Sequence, residues 1–311
     1  MNMTSESERR RACPVCGERQ LAQFLEKGSL RLVRCAHCSM VYSEAVPEDI
    51  ASGLFYQQRP FYLSPEKLKS DYAPVRFERE LRLFRRWCQT GAVLDVGCST
   101  GAFLHQLEKR YPGSYDVLGT DVAGPALDYA ASRGQPVIRE NFLDVDFPAK
   151  RFDAITFWAV MEHLVDPQQF LTRAAEILKP GGHCFILVPN LKSLAVRLVG
   201  SKYRYIMAEH LNYFTSATLK VFASRSDNLE IIASGSFHFN PVVIWQDLWF
   251  PQPSVPDEAR GRLLKRTTAW KENRLLKPLT ALYGGVERML GAVGLADNLW
   301  IVLRKRELPG A

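Results

Sequence analysis

The chain has 311 residues, carries 40 Lys and Arg against 33 Asp and Glu for a formal net charge of +7, and is 47% hydrophobic. That balance excludes a disordered or fibrous chain and leaves enough apolar material for a full core and more than one structural unit. No apolar run reaches the ~18 residues of a membrane span, and the polar residues 1–12 lack an apolar leader core, so a cytoplasmic protein is expected.

Four of the seven cysteines come first, as Cys13-Pro-Val-Cys16 and Cys35-Ala-His-Cys38. Two C-x-x-C turns at this separation can close four thiolates around one zinc ion. A hairpin is predicted between them, over 21–24 and 30–34, so residues 1–47 read as a four-cysteine zinc ribbon. A closed tetrahedral site has no open position, and the zinc is expected to be structural. His37 is expected to point outward, and Cys88, Cys98 and Cys184 to remain unliganded.

Residues 48–90 follow as an aromatic and proline-rich segment (Phe55, Tyr56, Pro60, Phe61, Tyr62, Tyr72) that leads into an amphipathic helix over 75–89. Such a segment is expected to cover a neighbouring pocket. An α/β core is predicted for 91–240. It opens with an apolar strand and the turn Leu94-Asp95-Val96-Gly97-Cys98-Ser99-Thr100-Gly101, then a helix over 102–110. Glycine permits positive φ and close backbone approach, so Gly97 and Gly101 are expected to admit a ligand at the mouth of a parallel sheet. Asp121 ends the next apolar run, about 20 residues beyond the loop, where a carboxylate can accept from a ribose diol. The loop is not the dinucleotide pattern. Asp95 suits a cationic ligand, such as one bearing an amino group and a sulfonium.

After residue 190 the alternation loosens. A helix is predicted over 193–199, an irregular aromatic stretch over 203–214, a helix over 215–228 with Ser216 as its cap, and a strand over 229–239. The last strand is expected at 298–305, within the closing segment 298–311, after a helical basic insertion over 241–297. Residues 257–311 hold 11 Lys and Arg against 6 Asp and Glu. Leu275, Leu279, Leu282, Val286, Met289 and Leu290 form an apolar stripe at helical spacing, expected to pack on the domain. The alternative is peripheral membrane contact through 257–293.

The stretch from Val93 to Gly101 resembles the first motif of the class I S-adenosylmethionine-dependent methyltransferases. So do Gly119-Thr120-Asp121, the run Asn141 to Pro148, Phe152 to Phe157 with Met161-Glu162-His163-Leu164, and Leu178-Lys179-Pro180-Gly181-Gly182, in family order. The resemblance implies a Rossmann-like, seven-stranded α/β sheet whose last strand returns antiparallel beside the sixth. It implies S-adenosylmethionine held by Asp95, Gly97, Cys98, Ser99, Gly101, Asp121, Val122, Asn141, Phe142 and Trp158, with Asn141 and Phe142 flanking the adenine.

Methyl transfer from a sulfonium asks the protein to align an acceptor and, where the acceptor is a hydroxyl or an acidic C–H, to supply a base. Glu162-His163 stands past the fourth core strand and Glu209-His210 past the fifth. The second pair is similar to one in the zinc-ribbon sugar C-methyltransferases and their small-molecule relatives. Carried over, His210 is the base, Glu209 its partner or a second acid/base group, and Tyr213 positions the acceptor; His163 is the next candidate. The expectation is methyl transfer to carbon or oxygen of a sugar or secondary metabolite. Two alternatives stand beside it: an RNA base methyltransferase gripping RNA through the ribbon and insertion, and a non-catalytic partner protein that retains the cofactor. The ribbon, with a single aromatic (Phe24) and few basic residues, makes nucleic acid the weaker partner.

Overall fold

The computed structural model describes residues 11–122, 124–250, 257–272 and 277–307. The N-terminal hairpin is β1 (Leu21–Lys27) against β2 (Leu30–Cys35), and β3 (Val41–Ser43) extends it. Four short helical pieces follow: α1 (Glu48–Ala51), α2 (Leu54–Gln57), a 3₁₀ turn (Pro60–Leu63) and α3 (Pro65–Asp71). Helix α4 (Glu78–Trp87) then leads into the core, burying Leu81 and Phe84 on one face.

The core alternates strand and helix: β4 (Gly91–Val96), α5 (Ala102–Arg110), β5 (Tyr115–Asp121), α6 (Gly124–Ser132), β6 (Val137–Arg139), β7 (Phe152–Trp158), α7 (Pro167–Ile177) and β8 (Leu178–Pro189). Helix α7 starts where it does because Asp166 accepts from the amides of Gln168 and Gln169 and Pro167 occupies the first turn. Helix α8 (Leu194–Val199), β9 (Asn212–Tyr213), α9 (Ser216–Ala223), β10 (Leu229–Phe237), α10 (Pro241–Trp249), α11 (Asp257–Glu272), α12 (Lys277–Ala292) and β11 (Asn298–Lys305) complete the chain.

The seven-stranded sheet has the order β10-β11-β8-β7-β4-β5-β6. Strand β11 runs antiparallel between β10 and β8, and β8, β7, β4, β5 and β6 are parallel neighbours. The chain reverses its direction of travel across the sheet after β6, when it returns to β7 on the other side of β4. The carboxyl ends of β4 and β7 therefore flank the switch point, where open α/β sheets bind ligands. The central parallel strands β4 and β7 are buried along most of their length, which is why they read as nearly continuous apolar runs, whereas β6 at the sheet edge has no buried residue.

The ribbon is fused to this core. Strand β9 adds to its sheet, in the order β1-β2-β3-β9, with Val41 opposite Tyr213. Cys13, Val15, Cys35, Met40 and Tyr42 share one apolar cluster with Leu94, Phe157 and Ile186 of the large sheet. Arg11 ties the two together: its guanidinium donates to the carbonyls of Ser43 and Val165 and to Asn212 Oδ1 at 2.7–3.0 Å.

Two expectations are corrected and one is refined. The cap of α9 is Thr215, not Ser216: the Thr215 hydroxyl accepts from the Thr218 amide and the Thr218 hydroxyl returns the bond, a reciprocal capping box. The helical insertion begins with α10, capped by Asn240, a helix whose bounds the sequence reading did not give. Most of the described part of the stripe on α12 does not face the domain: Leu282, Val286 and Met289 are exposed and Leu290 is buried, while Leu275 and the Leu279 side chain lie outside what is described. The helix is instead held by the neighbouring face, where buried Glu287 pairs with Arg79. Among the described residues no helix is long and apolar enough to cross a membrane.

Candidate active site

A cavity of about 600 Å³ opens at the carboxyl ends of β4, β5 and β7. Its floor is the loop from Val96 to Thr100, and its side walls carry Asp121, Val122, Asn141, Phe142 and Trp158. Ile50, Gly53, Tyr56 and Tyr62 of the aromatic segment close it from above. Asp121 reaches back to the loop and accepts the Ser99 amide at 2.7 Å, which fixes the carboxylate at the strand end.

Both glycines have positive φ, +72° at Gly97 and +70° at Gly101. Gly97 lines the cavity, and a Cβ there would lie 2.6 Å from Val160 Cγ2, so the glycine also admits a side chain of the loop after β7. Gly101 is outside the cavity lining; a Cβ there would press on Ala130 and Gln135 at 3.1 Å. Its left-handed conformation starts α5. Cys98 lines the loop, but its Sγ occupies the space over Gly119.

Asp95 is 3% exposed and accepts the Thr156 hydroxyl at 2.6 Å. Burial pushes its carboxyl up to about 7, so its charge is conditional near neutral pH and is favoured by a cation at the cavity. Asn141 holds its own turn, its Oδ1 accepting from the Leu143 amide. Phe142 is 2% exposed, with its ring on Phe157 and Phe170, so it forms the base of the wall rather than a free flanking ring. Trp158 packs on Phe103 and Phe185. Its Nε1 and the Ser99 Oγ are buried without a protein partner, two orphaned donors on residues that line the cavity.

At one end of the cavity the chain converges on a second set of groups. His163 lines the wall; its Nδ1 is 2.7 Å from the Glu209 carbonyl and 3.1 Å from the Tyr56 hydroxyl. A carbonyl only accepts, so Nδ1 carries the proton and Nε2 keeps its lone pair. His210 stands behind it, 4% exposed, with ring centroids 4.8 Å apart and Tyr205 stacked on its other side. Burial depresses both imidazoles, and for His210 the neighbouring His163 adds to the effect, so both are neutral at physiological pH.

The two glutamates lie in opposite surroundings. Glu209 accepts from Arg59 Nη1 at 2.9 Å, with Arg260 at 3.5 Å. Burial works against its ionisation, but its own backbone amide and Arg59 hold it below the usual carboxylate range. It is an ion-paired positioning group, not a proton shuttle. Glu162, 1% exposed, is pushed by burial up to about 8, and its Oε2 has no partner. Tyr213 lies outside the cavity lining: its hydroxyl donates to the Met207 carbonyl at 2.9 Å and accepts the Met207 amide at 3.2 Å, so it braces the 207–213 loop.

Arg59 is the functional residue that sequence reasoning missed. Its guanidinium spans Glu209 and Asp257, each at 2.9 Å, and so ties the aromatic segment, the Glu209-His210 loop and α11 together. Asp71, Lys67 and Arg76 also line the cavity and were not anticipated; Thr100 donates to Asp71 at 3.2 Å. No motif flags these contacts because they join segments far apart in the chain.

The cysteine cluster lies apart from the cavity lining. Cys13 Sγ is 3.5 Å from Cys38 Sγ and Cys16 Sγ is 3.5 Å from Cys35 Sγ, with all four within 4.8 Å of one another. Disulfides need ~2.0 Å; these separations are near the ~3.8 Å edge of a tetrahedron with zinc–sulfur bonds of ~2.3 Å.

A family profile described as "Methyltransferase domain" matches residues 66–233. A ubiquinone biosynthesis O-methyltransferase of Coxiella burnetii is 29% identical over 163 residues, covering 48% of this chain and 68% of the relative. The enzyme of the same name from Paracidovorax citrulli is 27% identical over 195 residues, covering 56% and 80%. Among solved structures, the complex between the Haloferax volcanii Trm112 methyltransferase activator and a putative methyltransferase matches with a TM-score of 0.53 at 16% identity. It covers 80% of this chain and 96% of that one. That likeness shows the fold alone.

Proposed function

Since this chain belongs to the class I S-adenosylmethionine-dependent methyltransferases, we propose that it methylates a small hydroxylated molecule at oxygen, with carbon as the alternative acceptor atom. The observation that carries this reading is the pair of neutral imidazoles, His163 on the cavity wall and His210 buried behind it. The relatives' name, an O-methyltransferase of small-molecule biosynthesis, supports oxygen over carbon.

The residues present fit the donor. The cavity has the volume of a small-molecule site. Asp121 supplies a carboxylate for a ribose diol, Asp95 an acid that ionises beside a cation, and Ser99 and Trp158 supply unpaired polar atoms. When bound, S-adenosylmethionine supplies a methyl group already activated on a sulfonium. The chain then excludes water with Tyr56 and Tyr62 and orients the acceptor through the loop that Arg59 and Tyr213 hold. An unprotonated imidazole nitrogen of the His163–His210 pair takes the hydroxyl proton as the oxygen becomes nucleophilic. Cys13, Cys16, Cys35 and Cys38 would hold a structural zinc ion that fixes the ribbon beneath β9.

The test is a transfer assay with labelled donor against phenols, sugars and other hydroxylated metabolites. Methylation of a hydroxyl, abolished in His210→Ala, supports the reading; a preference for RNA under the same conditions would overturn it.

A further inference from the structure

His163 on the cavity wall, with Glu162 and His210 buried outside the lining, forms a cluster with the composition of a metal site. One ligand atom from each of Glu162, His163 and His210 lies within 4.8 Å of the other two. The three arrive from different places, two from the loop after β7 and one from the stretch before β9. They present two imidazoles and a carboxylate, a donor set that suits first-row divalent cations and leaves a coordination position open.

Two further observations point to an absent ligand. Glu162 is 1% exposed, and although its own backbone amide donates to the carboxylate, Oε2 has no hydrogen-bond partner, so one oxygen of a buried carboxylate is left without a donor. His163 gives its Nδ1 proton to the Glu209 carbonyl, and His210 bonds the Tyr205 backbone. That is how metal-binding histidines are held: one ring nitrogen on a fixed acceptor, the other left with its lone pair. Arg59 and Arg260, whose charge reaches the histidines, are themselves ion-paired with Glu209.

We propose that Glu162, His163 and His210 bind a divalent transition-metal cation at the wall of the methyl-transfer cavity. Its binding does not depend on what the acceptor is. What it does rests on the reading above: the ion acts as a Lewis acid on the acceptor hydroxyl and replaces the imidazoles as the means of ionising it. The hydroxyl proton leaves to solvent, an oxygen lone pair forms the bond to the methyl carbon, and the carbon–sulfur bond breaks with its electrons going to sulfur.

The experiment uses the full chain with its cysteine cluster loaded with zinc, titrated with Mn²⁺ under electron paramagnetic resonance and with Co²⁺ by absorption. One Mn²⁺ per chain is expected, with cobalt d–d bands and no thiolate-to-cobalt charge transfer. Glu162→Gln and His210→Gln should each weaken Mn²⁺ binding by about tenfold or more, with S-adenosylmethionine affinity unchanged as the check on folding. No Mn²⁺ or Co²⁺ bound by the wild type overturns the proposal, and so does cobalt found only with thiolate charge transfer. Unaltered Mn²⁺ affinity in folded variants does the same. If the ion binds and no hydroxyl acceptor is methylated, the metal site stands and the acceptor reading fails.

Discussion

His163 and His210 face each other at 4.8 Å between ring centroids and 77° between planes, with the proton of the first held by the carbonyl of Glu209, the residue just before the second. A change at one ring is therefore felt by the other through a backbone bond as well as through space. His210→Ala removes the inner imidazole while leaving every residue of the cavity lining in place. Turnover should fall by about 10²–10⁴-fold, the usual span for a lost acid/base group, with donor affinity unchanged. Transfer kinetics beside a calorimetric titration separate the two; normal turnover would move the base to another residue.

Asp121 anchors the donor end. Its carboxylate is already oriented by the Ser99 amide, so Asp121→Ala should lose a charge-assisted pair of hydrogen bonds and weaken S-adenosylmethionine by about 10–100-fold. Calorimetry with S-adenosylhomocysteine should show a similar loss, since both share the ribose. Unchanged affinity would place the ribose elsewhere.

Asp95 makes donor binding depend on pH. Burial has raised its carboxyl to about 7. A raised value means that its contribution to stability is complete below the ordinary carboxylate range and is lost as pH rises through 7. A bound cation favours the ionised form, so donor affinity should run the other way. Affinity should be constant above pH 8 and fall as pH drops through 7 toward 6. In Asp95→Asn that slope should vanish. An equal slope in wild type and variant would assign it to another group.

Arg59 holds two carboxylates with one guanidinium, at 14% side-chain exposure. Arg59→Ala leaves Glu209 buried beside Arg260 alone and should cost about 3 kcal/mol of stability, read by thermal melting. It should raise acceptor KM more than it weakens the donor, because the clamp holds the Glu209-His210 loop and not the Asp121 wall. Arg59→Lys should not restore KM, since an ammonium cannot span both carboxylates. Equal effects on donor and acceptor would show that the clamp serves the whole fold.

The large sheet was legible because its signals are local. The apolar run before Asp95, the turn to Gly101 and the helix 102–110 are set by neighbouring residues, and the last strand, 298–305, lies where its alternation places it. The site was legible in residue types but not in roles. Glu162 and Glu209 look equivalent in sequence; what separates them is Arg59, which pairs with one and not the other. Gly97 lines the cavity as its motif suggests, and it also makes room for Val160, a contact no local rule encodes. The bounds of α10 were hidden because Val242, Trp245, Leu248 and Trp249 are exposed on it while Val243 and Ile244 are buried, so its apolar residues run all round the helix and mark no single face.

The ribbon's effect on the active site is the most indirect of these couplings. Strand β3 pairs with β9, Tyr42 opposite Asn212, and the Asn212 amide side chain donates to the carbonyls of Met161 and Leu164 at 2.7 Å on either side of Glu162 and His163. The cysteine cluster fixes β3 through the turn from Cys35 to Cys38, where the Cys35 amide donates to the Met40 carbonyl at 2.8 Å. Loosening the cysteines should therefore disturb both histidine loops without touching the donor wall. Cys16→Ser should release zinc, lower the melting temperature by about 5 °C or more, and reduce turnover by at least about tenfold while donor affinity changes little. Melting curves, metal content and donor titration on the same preparation check all three. A stable, fully active Cys16→Ser protein without zinc would mean that β9 is held by the core alone, with the Asn212 bonds sufficient to keep Glu162 and His163 in place.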